Sequence, residues 1–415
     1  TQFSAYDYDP GRKAAYPPKT GLEEAKRIAD GFLQRVNADR ASRLKYNERF
    51  ERDFIPPLTG EVYYEFLYER VDNGIVYGGD YASVTVSGDG KVVRYRFNWN
   101  DKVKFEPASD LIGKEEAMKI FAESAELGLS YLIPYQSVDR RKPQIAYALR
   151  QTSIDAKTGQ FAVYQGMTPD QWSEKPLAES PLAQEPERPL NLSQEEAAQV
   201  VEKLAGLPAG ARLTSASYYE NLNPDTGKLR AGWYLYWTAG GEDGRERNVS
   251  ASVNALTGEL DSYYRDSFRP LAAAGQAGET APKLSREEAA AKAADFVRKA
   301  VPRFAHQLYE AKSQPISIYR EDETQEHYFS YKRFIDGVAG VYDEVSVSIN
   351  AVSGEIIHFS NSISDYDYPD PKPGTISESE ARRLLIEAYD LELRYVPFYG
   401  EEGSQATGVT GGLVA

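Results

Sequence analysis

Residues 329–343 read Phe329-Ser-Tyr331-Lys-Arg333-Phe-Ile-Asp-Gly337-Val-Ala-Gly-Val-Tyr-Asp343. The same spacing of landmarks occurs 263 residues earlier, as Phe66, Tyr68, Arg70, Gly74 and Asp80. Upstream of each copy, Glu24-Ala25, Ala29 and Phe32 recur as Glu288-Ala289, Ala293 and Phe296. Downstream, Ala117, Leu129, Tyr131 and Tyr135 recur as Ala381, Leu393, Tyr395 and Tyr399. Residues 20–135 are therefore repeated at 284–399, and a repeat of this kind decides the fold before any local signal does. The stretch 192–265 has no counterpart one period upstream. A unit of about this period, begun partway and stopped inside the next, is the expectation, so both termini read as cut. The Thr1 start, with no basic and apolar leader behind it, fits the same expectation.

A shorter theme lies beneath the long period. Thr20-Gly-Leu-Glu-Glu-Ala, Gly113-Lys-Glu-Glu-Ala, Ser193-Gln-Glu-Glu-Ala, Ser285-Arg-Glu-Glu-Ala and Ser377-Glu-Ser-Glu-Ala all read as helix starts. A Ser or Thr with Glu about three residues on is a capping box, and the glutamates suit the positive end of the helix dipole. Apolar residues then follow at helical spacing, as in Ala25, Ile28, Ala29, Phe32 and Leu33. Most helices lead to alternating strands and to a hairpin: Ile154-Asp-Ala-Lys-Thr-Gly159, Val253-Asn-Ala-Leu-Thr-Gly258, Ile349-Asn-Ala-Val-Ser-Gly354 and the shorter Ser87-Gly-Asp-Gly90. Period-two alternation, as in Val345, Val347 and Ile349, means antiparallel strands with one buried face.

The fold class that follows is α+β, a tandem repeat of subunits in which one helix packs on a small antiparallel β-sheet. Expected subunits run 1–100 (helix about 21–37, strands to 98), 101–165 (shorter), 192–268, 283–366 (the copy of 20–98) and 367–415 (incomplete, the copy of 110–150). Pro-rich residues 166–191 and the Ala/Gly-bearing 269–282 read as exposed linkers.

The 415 residues carry 48 Lys and Arg against 63 Asp and Glu, a net charge of −15 that argues against nucleic acid as a partner. Cysteine is absent, which removes disulfides, thiol nucleophiles and thiolate zinc sites. No apolar run reaches the roughly 18 residues of a spanning helix, which argues against membrane insertion. His306, His327 and His358 are the only histidines, none within helical reach of another, so no His-Glu-x-x-His metal motif forms. No Gly-x-Ser-x-Gly elbow, Walker loop or dinucleotide fingerprint is present either. Paired carboxylates are always available among 63 acids and carry no information.

Three features remain. Spaced oxygens in Tyr6-Asp-Tyr-Asp9 and Tyr366-Asp-Tyr-Pro-Asp370 suit a calcium ion, or a solvated connector. The Asp/Asn-bearing hairpins read as turn chemistry rather than calcium or phosphate sites. In Trp233-Tyr-Leu-Tyr-Trp237, the tryptophans point to one face of a strand and Tyr234 and Tyr236 to the other. One pair must meet the helix; the other is a sugar platform, a peptide groove or a subunit contact.

The helix-then-hairpin subunit ending in Asp/Asn-Ala-x-Thr/Ser-Gly resembles the PepSY-like domains, and the chain as a whole resembles bacterial YcdB/YcdC repeat proteins. The Glu-Glu-Ala helix starts carry the likeness, with Trp233–Trp237 before Val253–Gly258 and Phe329-x-Tyr-x-Arg333 before Ile349–Gly354. Tyr131 and Tyr395, each after a helix, fit the shorter subunit of that pattern. The resemblance implies an extracellular or cell-wall-associated bacterial protein. PepSY-like domains also occur in propeptides of secreted metallopeptidases, where a restraining role has been proposed; with no peptidase domain here, restraint would act in trans. No catalytic residues are assigned in the family, so no catalytic, cofactor or metal residues are carried over. The expectation is a non-enzymatic interaction protein, without cofactor, whose partner is a protein or peptide, such as a secreted peptidase, captured by strand addition at a sheet edge. A structural or cell-wall-polymer-binding module is the alternative, with aromatics facing solvent in rows, and an unrecognised hydrolase is the third.

Overall fold

The repeat in the sequence is a repeat in space. A computed structural model describes residues 5–7, 16–48, 60–125, 127–133, 142–149, 153–160, 172–240, 246–266, 284–312, 326–371, 376–399 and 405–414. The first copy contributes β1 (Ala5–Asp7), α1 (Leu22–Val36), β2 (Leu44–Tyr46), β3 (Tyr63–Asp72), β4 (Ile75–Ser87) and β5 (Val92–Asn98). It continues with β6 (Lys104–Phe105), α2 (Lys114–Ser124), the hairpin β7 (Leu127–Leu132) and β8 (Gln144–Leu149), and β9 (Ser153–Asp155). The middle portion is α3 (Gln194–Ala205) with β10 (Arg212–Leu222), β11 (Leu229–Gly240), β12 (Glu246–Asn254) and β13 (Leu260–Arg265). The second copy follows: α4 (Arg286–Ala300), β14 (Leu308–Glu310), β15 (Glu326–Ile335), β16 (Val338–Asn350) and β17 (Ile356–Asn361). It ends with α5 (Glu378–Ala388) and the hairpin β18 (Asp390–Tyr399) and β19 (Gln405–Val414).

These elements form two compact units, and the units are not simple consecutive segments. The first holds residues 1–125, 151–165 and 384–415; the second holds 126–150 and 166–383. In the first unit, one sheet runs β1-β5-β4-β18-β19-β6, with β3 also on β4, β2 on β3 and β9 on β19. In the second, one sheet runs β10-β11-β12-β13-β17-β16-β15-β14, with β7 on β16 and β8 on β7. The segments expected as separate subunits at 192–268 and 283–366 thus share a single sheet, joined where β13 pairs antiparallel with β17. The hairpin 127–149, expected within 101–165, pairs in the second unit's sheet.

Helix faces and cores follow from the apolar spacing. Ala25, Ala29 and Leu33 of α1 are buried with Phe66, Tyr68, Val84 and Tyr95 of the sheet. In the second unit, Ala197 and Val201 of α3 share one core with Ala289, Ala293 and Val297 of α4, Leu235, Val253, Phe329 and Phe359. Alanines at the contact let helix and sheet approach closely, and burying each large apolar side chain contributes roughly 1.5–3 kcal/mol. Both α3 and α4 lie on one side of the sheet, and among the described residues that leaves the other side free of helix.

The capping boxes form fully at two helices. Ser193 Oγ accepts from Glu196 N at 3.2 Å while Glu196 accepts from Ser193 N at 2.8 Å, and Ser285 and Glu288 do the same at 3.3 and 2.9 Å. The first helix differs: its N-cap is Gly21, which has no side chain to cap with. Thr20 lies one residue further out and donates its backbone N–H to Gly88 O at 2.9 Å, tying the helix start to the hairpin. The Pro-rich stretch, where described, is held rather than free. Ser173, Leu177 and Leu182 N–H groups donate to Glu310, Leu308 and Pro302 carbonyls, and Leu190 and Leu192 to Leu256 and Ala255. Prolines remove helix and strand potential but leave the other amides able to strap the segment along its neighbours. Residues 269–282 lie outside the described residues.

Candidate interaction face and strand junctions

The repeated landmarks build a junction that occurs once in each unit. Asn73-Gly74 and Asp336-Gly337 have φ of 50° and 78°, and of 49° and 82°, the left-handed pair that a two-residue hairpin requires. That turn returns the chain so that Arg70 meets Asp80 at 2.7 Å and Arg333 meets Asp343 at 3.1 Å, all four side chains buried. Each aspartate also accepts a backbone N–H, from Asn100 and from Ser364, both at 3.0 Å. Arg70 lies over the rings of Trp99 and Phe105; Arg333 lies over Phe304 and Tyr368. Burial holds the Asp80 carboxyl above its ordinary range, with Arg70 opposing that shift. Such a pair organises the turn and is costly to break on one side.

Next to it, a parallel strand enters. Tyr131 of β7 pairs with Gly340 of β16, and Tyr395 of β18 pairs with Tyr77 of β4, equivalent positions in the two copies. Tyr131 packs on Tyr368 and Tyr395 on Phe105, each pair of rings 4.8 Å apart. Their hydroxyls donate to the carbonyls of Pro369 at 2.8 Å and Glu106 at 2.9 Å. The two tyrosines that mark the shorter subunit in the sequence are therefore buried latches for a docked hairpin.

The helix-free side of the second unit's sheet has a different chemistry. Following the strand register, one row reads Ser217, Tyr234, Ser252, Ser262, Ser360, Ser346, Ser330 across β10 to β15. The adjacent row reads Ser215, Tyr236, Ser250, Tyr264, His358, Ser348, Tyr328. Neither row contains Asp, Glu, Lys or Arg. Tyr234 is 57% exposed and Tyr264 51% exposed, standing above serines of which Ser252, Ser330 and Ser348 are buried. At about 4.8 Å between strands, seven strands span roughly 29 Å.

One of the ionisable groups beside these rows lies far from its ordinary range. A bulge between β12 and β13 leaves Asp261 beside Tyr219, whose hydroxyl donates to its carboxylate at 3.4 Å. Gly232 makes this reach possible, because a Cβ there would lie 2.6 Å from the Tyr219 hydroxyl. Burial and the neighbouring Glu259 push Asp261 up to about 7, and burial with Asp261 pushes Tyr219 up to about 12.

The other sequence candidates fall as follows. Trp237 is buried and Trp233 is half-buried with its indole N–H on Leu192 O at 2.8 Å, so neither is a sugar platform; Tyr234 and Tyr236 are the exposed pair. His306 lies before β14, His327 on β15 with its ring nitrogen 2.9 Å from Leu284 O, and His358 on β17 in the tyrosine row. Among the described residues, no three His, Asp or Glu side chains are grouped as a metal site. The acidic tyrosine segment 366–370 is tied down by protein groups: Tyr366 donates to Asp225, Tyr368 to Asp343, and Lys228 to Asp367. In the N-terminal segment Asp7 pairs with Arg94 at 3.4 Å, while Tyr8 and Asp9 lie outside the described residues. In the hairpin turns Asp155, Asn254 and Asn350 each accept backbone N–H groups two and three residues on, which is local turn chemistry. The serine rows and Asp261 are sites that sequence reasoning passed over. The signal for the rows was present in Ser215-Ala-Ser217, Ser250-Ala-Ser252 and Ser346-Val-Ser348.

The chain belongs to the family of the YcdB, YcdC repeated domain, whose model matches residues 5–99 and 194–362, well over half of its length. Among solved structures, the Bacillus megaterium YpeB C-terminal domain is similar over 53% of this chain and 86% of that one, at 15% identity and a TM-score of 0.32. No curated protein matches the chain.

Proposed function

We propose that this chain is a non-enzymatic interaction protein acting outside the bacterial cell, and that the tyrosine–serine face of its second unit binds a protein partner. The observation that carries the reading is the pair of uncharged rows on the helix-free side of the sheet. Tyrosine supplies large, rigid, amphipathic contact area at small entropic cost, and serine supplies adaptable hydrogen bonds. A sheet holds these groups in register before binding, so little ordering remains to be done on association. The molecule carries a net charge of −15, yet these rows carry no formal charge, and a partner need not desolvate unpaired charges there. A secreted peptidase is the partner class that the family resemblance implies.

The exposed rings favour a second reading, a wall polymer, because Tyr236 and Tyr264 lie two strands apart in one row, about 10 Å, and tyrosine rings stack on sugars as well as on side chains. Capture from culture supernatant and from purified cell wall, in parallel, separates the two. Retention of a defined secreted protein supports the first reading. Retention on wall alone supports the second, and retention of neither contradicts both. Titration against a secreted metallopeptidase tests restraint directly: a rate that falls with added protein is expected, and an unchanged rate at micromolar protein counts against it.

A further inference from the structure

The two ends of the second unit's sheet are finished differently. At one end lies β14, three residues long, and it is covered. Ser173 and Leu177 N–H groups donate to the carbonyls of Glu310 at 2.7 Å and Leu308 at 2.9 Å, and Glu310 N–H donates to Ser173 Oγ at 3.0 Å. Trp172 bridges antiparallel to Ala311, so the strap closes this edge as a short added strand would. At the other end lies β10, 11 residues long. Among the described residues only β11 pairs with it, and no other backbone–backbone hydrogen bond reaches residues 212–222. In the first unit the strand at the same place, after the helix and before the first long strand, is β2, again three residues. Short edge strands, Lys, Pro and bulges are how sheets keep open edges from pairing. From Ser215 to Leu222, β10 uses none of these: its register on β11 is unbroken, its bulge lies between Leu213 and Ser215, and it holds no Lys or Pro. The one charge in that stretch is Glu220, which accepts from the Tyr218 hydroxyl at 3.0 Å.

We propose that β10 is the docking edge for an extended segment of the partner protein, added to the sheet as one further strand. This rests on the reading of the chain as an interaction protein and gives the partner its form. The two sides of the edge define the segment that fits. Leu213, Ala216 and Tyr218 stand opposite Trp237, Leu235 and Trp233, on the side of the helices. Leu213 and Ala216 are half-buried against the core, while Tyr218 is 47% exposed with its ring 5.2 Å from that of Trp233. On the other side, Ser217 and Ser215 end the two uncharged rows. The segment is therefore uncharged and proline-free through its centre, with apolar side chains alternating with small hydroxyl-bearing ones. Its length is about eight residues, matching the roughly 27 Å of Ser215–Leu222. Every second residue of β10 turns its N–H and C=O outward, which supplies about eight main-chain hydrogen bonds; these give affinity, and the alternate side chains give specificity.

A model strand tests this on the full chain. The probe is a fluorescein-labelled peptide of four Thr-Val repeats, and the control is the same peptide N-methylated through its centre, so that neither of its edges can pair. Anisotropy titrations should show the methylated peptide binding at least about tenfold more weakly. Equal binding of the two peptides, or no binding of the probe up to about millimolar concentration, overturns the proposal. The chain has no cysteine, so Ser217→Cys places a single thiol at the edge and Tyr264→Cys a single thiol on the face. A probe with a central cysteine should form a disulfide with the first at least about tenfold faster than with the second, and equal rates overturn the assignment to β10. Tyr234→Ala/Tyr264→Ala should bind the probe as wild type does; loss of probe binding in that variant would move the site from the edge to the face. Failure of the probe leaves the face reading standing, because capture of the partner by that same variant tests the face separately.

Discussion

The two copies of the repeat share their interiors and differ on the sheet faces turned away from α1 and α4. In the first copy, one row reads Glu65, Thr85, Arg94, Asp7 and the next reads Leu67, Ser83, Arg96, Ala5. At the corresponding register positions the second unit has Tyr328, Ser348, His358, Tyr264 and Ser330, Ser346, Ser360, Ser262, with Tyr264 and Ser262 supplied by β13 of the middle portion. Arg94 pairs with Asp7 at 3.4 Å, and Glu65 accepts from Ser83 at 2.9 Å, so the first face satisfies these charges internally. The second exposes rings over serines. What both copies keep is what closes the sheet: the Arg–Asp pair, the left-handed turn and the latch tyrosine. What they do not keep is what solvent meets, and under the proposed function the face of the second unit is where a partner would bind.

The largest expected effect breaks a shared element. Asp343→Ala strands a buried guanidinium and should cost about 3–5 kcal/mol in a urea titration. Asp80→Ala should fall in the same range but lower, because Asp343 also accepts from the Tyr368 hydroxyl at 2.8 Å. Equal and small losses would show that the pair is not what holds the turn. Tyr131→Ala and Tyr395→Ala come next, at about 3 kcal/mol each for emptying a packed ring site, whereas Tyr→Phe at either should cost about 1 kcal/mol for one hydrogen bond. Hydrogen exchange should then show loss of protection at β7 in one variant and at β18 in the other.

A smaller effect belongs to the second unit alone. Asp261 is held at about 7 in the folded chain against an ordinary 3.8, so the folded state binds a proton more readily than the unfolded one. Stability from this group is therefore greatest at low pH and falls as pH rises from about 4 to 7, then stays level. Asp261→Asn should remove that fall and raise stability at pH 8 by about 1–2 kcal/mol. Urea midpoints at pH 5 and pH 8, for both proteins, check it; an unchanged difference between the two pH values goes against the assignment.

Much of this fold is legible in the chain. Repeat spacing, helix starts and Asx-bearing turns are local, and each forms where its residues stand. Tyr131 and Tyr395 are visible as paired landmarks, but their hydroxyls bond to carbonyls 238 and 289 residues away, and no periodicity reports which sheet a hairpin joins. Proline in 166–191 signals the lack of helix and strand, not the lack of contacts, so the strap at 173–192 has the composition of an exposed linker. The serine rows depend on register across seven strands and on the bulge at Ser252 and Val253, which alternation alone does not fix. Asp261 stands beside Tyr219 through that bulge and through the missing side chain of Gly232.

The most direct test compares the two faces. Tyr234→Ala/Tyr264→Ala strips exposed rings from the second unit, and Glu65→Ala/Arg94→Ala alters the corresponding face of the first. Surface changes of this kind should each leave stability within about 0.5 kcal/mol of wild type. Quantitative capture of the partner from culture supernatant, with both variants and the wild type at equal concentration, then decides the matter. The account predicts at least a roughly tenfold loss for the tyrosine variant and wild-type capture for the charge variant. Equal capture by all three, or loss confined to the charge variant, would contradict it.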